Sequence, residues 1–317
     1  MSMFIQQVIN GVAVGCIYGL VALGYTMVYG VLRMINFAHA ELFMLGPMAA
    51  LFLMRITGVT VGRFAYATIP LTLVQLAGVL LMCFLGAAIF SSAVGVSLER
   101  IAYRPLRRAP ALSVLVTALG ASLFLQNATM ILGGRNLKPF PRILPTQYFN
   151  VAGATLNNVQ VFIAVSCALL LTGLLLLVNK TYLGRAIRAV AEDKDVAAMM
   201  GVDVNQTIAW VFILGPALGA ASGLLFSMYY AQAYYYMGSL VGTRAWTAAI
   251  IGGIGDLKGA LVGGLVLGVL ETIGAGYLPI ITGGKIGSEY TSTFAFILLI
   301  IMLLVRPQGI FGEPVKG

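Results

Sequence analysis

The only histidine in 317 residues, His39, stands three residues after Asn36 and two before Glu41, in the run Met34-Ile35-Asn36-Phe37-Ala38-His39-Ala40-Glu41. Polar and ionisable groups embedded in an apolar stretch are costly and are functional-site candidates by default. Two roles are open to them. They can contact a molecule crossing the apolar layer, or they can satisfy broken backbone, with Asn36 as a helix N-cap and Glu41 at the positive helix end. Asn36 and His39 would share a face if the stretch were helical, with Glu41 turned away. Glu271 is the other carboxylate set in an apolar run, so Glu41 and Glu271 are the candidates for ion coupling. Gly252-Gly253-Ile254-Gly255-Asp256-Leu257-Lys258-Gly259 invites a phosphate-loop reading, but no Lys-Ser or Lys-Thr pair follows the last glycine and no strand precedes it. Gly283-Gly284-Lys285 fails likewise, so no ATP site is expected in this chain. Cys16, Cys83 and Cys167 lie in separate apolar runs without metal-ligand spacing and are expected to pack as small hydrophobes. No constellation suits hydrolysis or metal chemistry.

The elements that must position these residues follow from composition. The chain is 60% hydrophobic and 9% charged, with a mean hydropathy of +0.97. A soluble domain needs more than twice that charge, and disorder, coiled coil and collagen are excluded by the same figures. The expected fold is all-α and polytopic, one transmembrane domain over residues 1–317. At about 20 residues per crossing, eight spans are expected: Val8–Leu32, Ala38–Met54, Ile69–Val96, Ala111–Ile131, Val159–Val178, Ile208–Met228, Leu261–Ile280 and Tyr290–Val305. The apolar stretch Trp246–Ile254 is too short to cross. It and the run after Arg33 read as broken or re-entrant helices, whose freed backbone must be buried in protein or line a cavity.

Net charge +9 comes from bases in short loops, which are orientation signals here and not a nucleic-acid surface. Arg100–Arg108 and Lys180–Lys194 carry four bases each and are separated by two spans, so both are expected on the cytoplasmic side. The loop 132–158 then faces outward, and the side of the C-terminus depends on whether Trp246–Ile254 crosses. The N-terminus MSMFIQQ has no basic region and reads as no cleavable signal. Tyr229–Tyr236 suits an interfacial belt. Each half also offers an apolar helix, an irregular polar segment and a further apolar helix, with Asn36–Glu41 matching Gly242–Asp256. An odd number of crossings between them would make the halves inverted repeats.

Within the loop 179–207, Arg185–Gly201 is expected to form one short amphipathic helix closed by glycine. Its acids Glu192, Asp193 and Asp195 suit docking in the cleft of a soluble partner. The string Asp195-Val196-Ala197-Ala198-Met199-Met200-Gly201 resembles a degenerate ABC-importer coupling loop. Further strings are GVAVGCIYGLVALGYTMVYGVLRMINFAHAELFMLG (11–46), LERIAYRPLR (98–107), GRAIRAVAEDKDVAAMMGV (184–202), AAIIGGIGDLKGALVGGLVLGVLE (248–271) and VRPQGIFG (305–312). All are similar, in order and over nearly the whole chain, to branched-chain amino acid permease subunits of the LivH type. Ala40 stands where that family usually has glycine.

The resemblance implies an inner-membrane importer with a second related permease subunit, two cytoplasmic ATPases that carry ATP and Mg, and a periplasmic binding protein. Its substrate path would be lined at the two breaks by Asn36, Phe37, His39 and Glu41, and by Thr247, Gly252 and Gly253. Coupling to the ATPases would run through Arg185, Arg188, Glu192, Asp193, Asp195, Ala197 and Gly201. Two other functions stay open at this point: a related importer for urea or short amides, and a stand-alone ion-coupled transporter using Glu271 or Glu41.

Overall fold

A computed structural model describes residues 2–59, 72–107, 109–151, 153–285 and 290–312. The first residues of the expected span Ile69–Val96, and Arg108, lie outside them. The helices are α1 (Ser2–Leu32), α2 (His39–Ile56), α3 (Leu73–Leu98) and α4 (Ala111–Gly133), then α5 (Asn158–Lys180), α6 (Tyr182–Glu192), α7 (Lys194–Met199) and α8 (Val204–Tyr230). They end with α9 (Met237–Gly252), α10 (Leu257–Ile281) and α11 (Thr291–Val305). Between α4 and α5 lie β1 (Lys138–Pro139) and the hairpin β2 (Tyr148–Val151) and β3 (Ala154–Asn157). β4 (Gln232–Ala233) pairs antiparallel with β1.

Helix starts are fixed by side chains that satisfy the first backbone N–H groups. Thr72 and Gln75 form a capping box on α3, Asn157 and Gln160 one on α5, while Asp203 and Asp256 cap α8 and α10. Among the described residues seven helices are long and apolar enough to cross a membrane. The expected Tyr290–Val305 span is the 15-residue α11. The expected fragment Trp246–Ile254 proves to be the end of a 16-residue helix, α9, that begins at Met237. Its first half, with Gly238, Ser239, Gly242, Thr243 and Arg244, carries too little apolar character to be recognised as a helix that packs inside protein.

α1 is the axis. Of its most apolar stretch, 94% is buried inside the protein, against 11% for the span that begins with α3, so α1 is sheathed by other helices while α3 lies on the outside of the bundle. Its glycine row lies on α10: Gly11 against Val269 and Thr272, Gly15 against Leu265, Gly19 against Leu261 and Gly264. Small residues spaced by four let two backbones close where lipid supplies no hydrophobic driving force.

The helices of the two halves pack in the same pattern. α1 packs on α10 as α8 packs on α3, α2 crosses α8 as α9 crosses α1, and α2 lies on α3 as α9 lies on α10. α1 and α8 run antiparallel, with Ser222 Oγ donating to the Ile17 carbonyl at 2.8 Å and Gly215 beside the Gly24 carbonyl. The halves are thus inverted repeats. The match expected between Asn36–Glu41 and Gly242–Asp256 is corrected, however. α1 ends on left-handed Arg33 (φ 55°) and α8 on left-handed Ala231 (φ 53°), so 33–38 corresponds to 231–236 and α2 to α9. Glycines at 252–255 mark the ordinary turn from α9 to α10 and drew the match too far along the chain.

One end of the bundle carries α6, α7, the start of α8 and the turn after α3. There Arg107 ion-pairs with Glu99 and donates to Asn205 Oδ1 at 2.6 Å. The opposite end carries the β2–β3 hairpin, tied to α1 by Gln6, which accepts from the Thr155 amide at 2.8 Å. Residues 306–312 fold back on the α9–α10 turn, where the Ile310 and Phe311 amides donate to the Ile251 and Gly252 carbonyls.

Candidate functional site

The break after α1 holds the first polar cluster. Arg33 turns the chain out of the helix, and α2 resumes at His39 with Ala38 in the capping position and no side-chain cap. The expected cap by Asn36 is therefore corrected. Its Oδ1 accepts from the Tyr103 hydroxyl at 2.6 Å, because the π-helical turn Glu99–Tyr103 at the end of α3 swings that hydroxyl inward. π-turns of this kind often sit at functional places.

His39 is fully buried. Its ring lies in a slot walled by Gly24 of α1 and by Gly215 and Gly219 of α8, with Tyr25 edge-on at a centroid distance of 4.8 Å. Neither ring nitrogen makes a hydrogen bond of ordinary geometry among the described residues.

Glu41 does sit in the first turn of α2, as its charge suggests. It also joins three helices. Oε1 accepts from Ser122 of α4 at 3.1 Å and from Ser239 of α9 at 3.0 Å, and Gln126 donates to Ser239 at 3.3 Å. Phe37 stands against Trp246 of α9, centroids 6.1 Å apart. The structure therefore brings Asn36, Phe37, His39 and Glu41 together around α2, with α9 alongside.

The residues proposed from the second break behave differently. Thr247 is fully buried and bonds back to the Thr243 carbonyl at 3.0 Å. Gly252 lies on the Gly259 backbone, and Gly253 (φ 108°) lies on Gly309 and Gly312. A side chain at either glycine would strike backbone, so both serve close packing.

Sequence reasoning missed the second polar cluster. Arg244 of α9 and Glu271 of α10 form an ion pair at 3.0 Å, and Tyr18 of α1 lies beside the same pair. The signal was available: two opposite charges, each alone in an apolar segment, are expected to find each other.

At the α6–α7 end, the single expected helix is two. The chain breaks at Asp193, whose carboxylate accepts from the Asp195 amide at 2.8 Å and the Val196 amide at 3.0 Å and so starts α7. An aspartate followed by a charged first turn is a start signal, and it overrides the continuous amphipathic pattern. α6 buries Gly184, Ala186, Ile187 and Val190 against the bundle and presents Arg185 and Glu192 outward. Arg188 reaches back to the Val178 carbonyl at the end of α5. Ala197 is buried, and Gly201 (φ 83°) closes α7 as expected.

Beyond the bundle, Val196 (50% exposed), Met199 (79%) and Met200 (79%) form an apolar tip flanked by Asp195. Partial burial beside Arg107 and Arg33 holds the Lys194 ammonium below its usual range, with Asp195 opposing. This end is thus a basic collar around an apolar, acid-flanked tip.

A family model described as branched-chain amino acid transport system / permease component matches residues 7–304. The high-affinity branched-chain amino acid transport system permease protein BraD of Pseudomonas aeruginosa is 39% identical over 315 residues, covering 98% of this chain and 96% of that protein. LivH of Escherichia coli K12, with the same description, is 38% identical over 323 residues with the same coverage. A probable LivH of Methanocaldococcus jannaschii is 30% identical over 92% of this chain and 88% of its own length.

Proposed function

Because this chain belongs to the permease-component family of branched-chain amino acid transport systems, we propose that it passes aliphatic amino acids across the inner membrane. Separate cytoplasmic ATPases would drive it, and an external binding protein would supply the substrate. The permease role follows from the family; the subunits and their docking places are the proposal. The observation that carries it is α7: a six-residue helix that ends on largely exposed Met199, followed by equally exposed Met200, and is anchored by buried Ala197. Methionine adapts to the shape of a partner cleft, and a contiguous exposed apolar tip needs a cover. In this reading α6 is the lever: it buries one face on the bundle and hands displacement of α7 to α1 and α8.

The two carboxylates fit this function better than ion coupling. Glu271 is tied to Arg244, and Glu41 already accepts from two serines. Uptake by this chain alone in vesicles, driven by an ion gradient without ATPases, would overturn the proposal.

The docking role is tested on the assembled complex. Asp195→Lys reverses the charge beside the tip, and Met199→Ser with Met200→Ser removes its apolar contact. Each variant should insert and fold normally, since neither site is buried, while ATP-driven uptake falls at least tenfold. Charge reversal at a docked interface costs about 2–5 kcal/mol. Wild-type uptake in both variants would rule out docking at α7.

Orientation follows from the same proposal. The end bearing Arg33, Arg107 and Lys194 is cytoplasmic and the β2–β3 hairpin is external, which also places residues 306–312 on the cytoplasmic side. In cysteine variants of intact cells, an impermeant thiol reagent should label position 150 and spare position 107. The reverse pattern inverts the topology.

A further inference from the structure

Among the described residues, two other than glycine have left-handed backbone, Arg33 and Ala231, and they hold equivalent places in the two halves. Each follows the last residue of a long helix of its half, α1 or α8, and precedes a short connector to the crossing helix, α2 or α9. Left-handed backbone disfavours any residue with a Cβ, and glycine is the usual occupant just past a helix end. A chain with 38 glycines places none at these two joints. Strain of this kind persists only where surrounding contacts over-determine it, and the contacts are distinctive.

At one end the Arg33 guanidinium donates to the Ala191 carbonyl of α6 at 3.1 Å. At the other, the Ala231 carbonyl accepts from the Phe140 amide at 3.0 Å, beside the β1–β4 pairing. Ala231 also lines a cavity of about 180 Å³ with Arg142, Tyr148 and Tyr229. Each joint is thus fastened to the segment outside the bundle at its own end. Beyond the joints the two arms meet. The Glu41–Ser239 hydrogen bond joins residues 198 apart in the chain, the same separation as Arg33 and Ala231, so it joins equivalent positions of the two halves. Gly238 rests on the Ala40 carbonyl, and Gly242 on Ala40 itself.

We infer that Arg33 and Ala231 are matched hinges through which the loops at opposite ends of the bundle move α2 and α9, and that the Glu41–Ser239 hydrogen bond couples the two arms. The inference rests on the reading above, that one end docks ATPases and the other an external binding protein. A hinge needs a few terminal residues that absorb a change in φ and ψ. A coupling needs an element that both ends bias. Here one hydrogen bond between equivalent positions of α2 and α9 is that element, and neither arm can tilt far without shearing it.

The test uses the complete complex in vesicles, with ATPases and binding protein, reading uptake per ATP hydrolysed and the stimulation of hydrolysis by binding protein. Arg33→Gly keeps the left-handed joint and removes the guanidinium, so uptake per ATP should fall about fivefold, the lower range of allosteric couplings. Ala231→Gly frees the joint at the other end, so stimulation by binding protein should fall by a similar factor. Ser239→Ala should produce both defects. Adding either hinge variant to it should change little further, because contacts that act in series are not additive. Ser239→Thr, which keeps the hydroxyl, should restore both readouts and serves as the control for folding.

Additive effects, or hinge variants indistinguishable from wild type in a complex that transports, would overturn the hinge assignment. A wild-type complex without ATP-dependent uptake would instead remove the functional reading beneath it.

Discussion

Arg244→Ala should be among the most damaging single substitutions in this chain, lowering the stability of the solubilised protein by about 3 kcal/mol. The reason is the charge left behind. Glu271 is 8% exposed, its Oε1 faces the Arg244 guanidinium at 3.0 Å, and its Oε2 has no hydrogen-bond partner among the described residues. Without the guanidinium, the carboxylate is a buried charge with no ion-pair partner among the described residues. Removing both charges should therefore be milder than removing one. Arg244→Ala combined with Glu271→Gln should recover most of the lost stability, since a neutral amide needs far less compensation than a buried charge. Thermal unfolding of the purified single and double variants decides this. A single variant as stable as wild type, or a double variant no better than the single, would show that the pair is not what holds α9 to α10 and α1. The pair packs against the central helix, so this damage should appear in the yield of folded protein before any transport measurement.

How much of this was legible in the sequence varies with how each helix is stabilised. α1, α3, α5 and α8 carry long apolar runs because lipid or the protein core asks only for hydrophobicity, and their extents were readable, although α1 starts at Ser2 and not at Val8. α9 packs almost wholly against other helices, where glycine, serine, threonine and a paired arginine are all acceptable. Its first half therefore lacked the apolar signal, and only Trp246–Ile254 stood out. The polar cluster after α1 was visible as residue types, but its partners were not. Tyr103 reaches Asn36 through a π-helical turn, and Ser122 and Ser239 reach Glu41 from helices 81 and 198 residues away in the chain. The inverted symmetry was visible as an idea and misplaced in register. A left-handed alanine leaves no mark in composition, whereas clustered glycines leave a conspicuous one. The segment Arg185–Gly201 was legible as a surface feature, and its division at Asp193 was written in the aspartate that starts α7. The amphipathic pattern running through both helices concealed that break.

Gly24→Ala should separate a packing role for His39 from a path-lining one. A methyl group at position 24 would fall on the His39 ring, which Gly215, Gly219 and Tyr25 hold on its other sides. With nowhere for the ring to move, overpacking of this kind costs about 1–3 kcal/mol. His39→Ala alone should also destabilise, because it empties a slot that the α1–α8 crossing is built around and leaves its lining without contacts. Together the two substitutions exchange volume between facing positions. The double variant should therefore be more stable than the sum of the single losses predicts, with a coupling between the sites of about 1 kcal/mol or more. A ring that bordered an open path would behave otherwise: it could swing aside, Gly24→Ala would leave thermal stability untouched, and the two changes would add independently. The geometry favours the first pattern. On that account His39 contributes to transport by fixing where α2 starts against α1 and α8, and thereby the positions of Asn36 and Glu41 on either side of it.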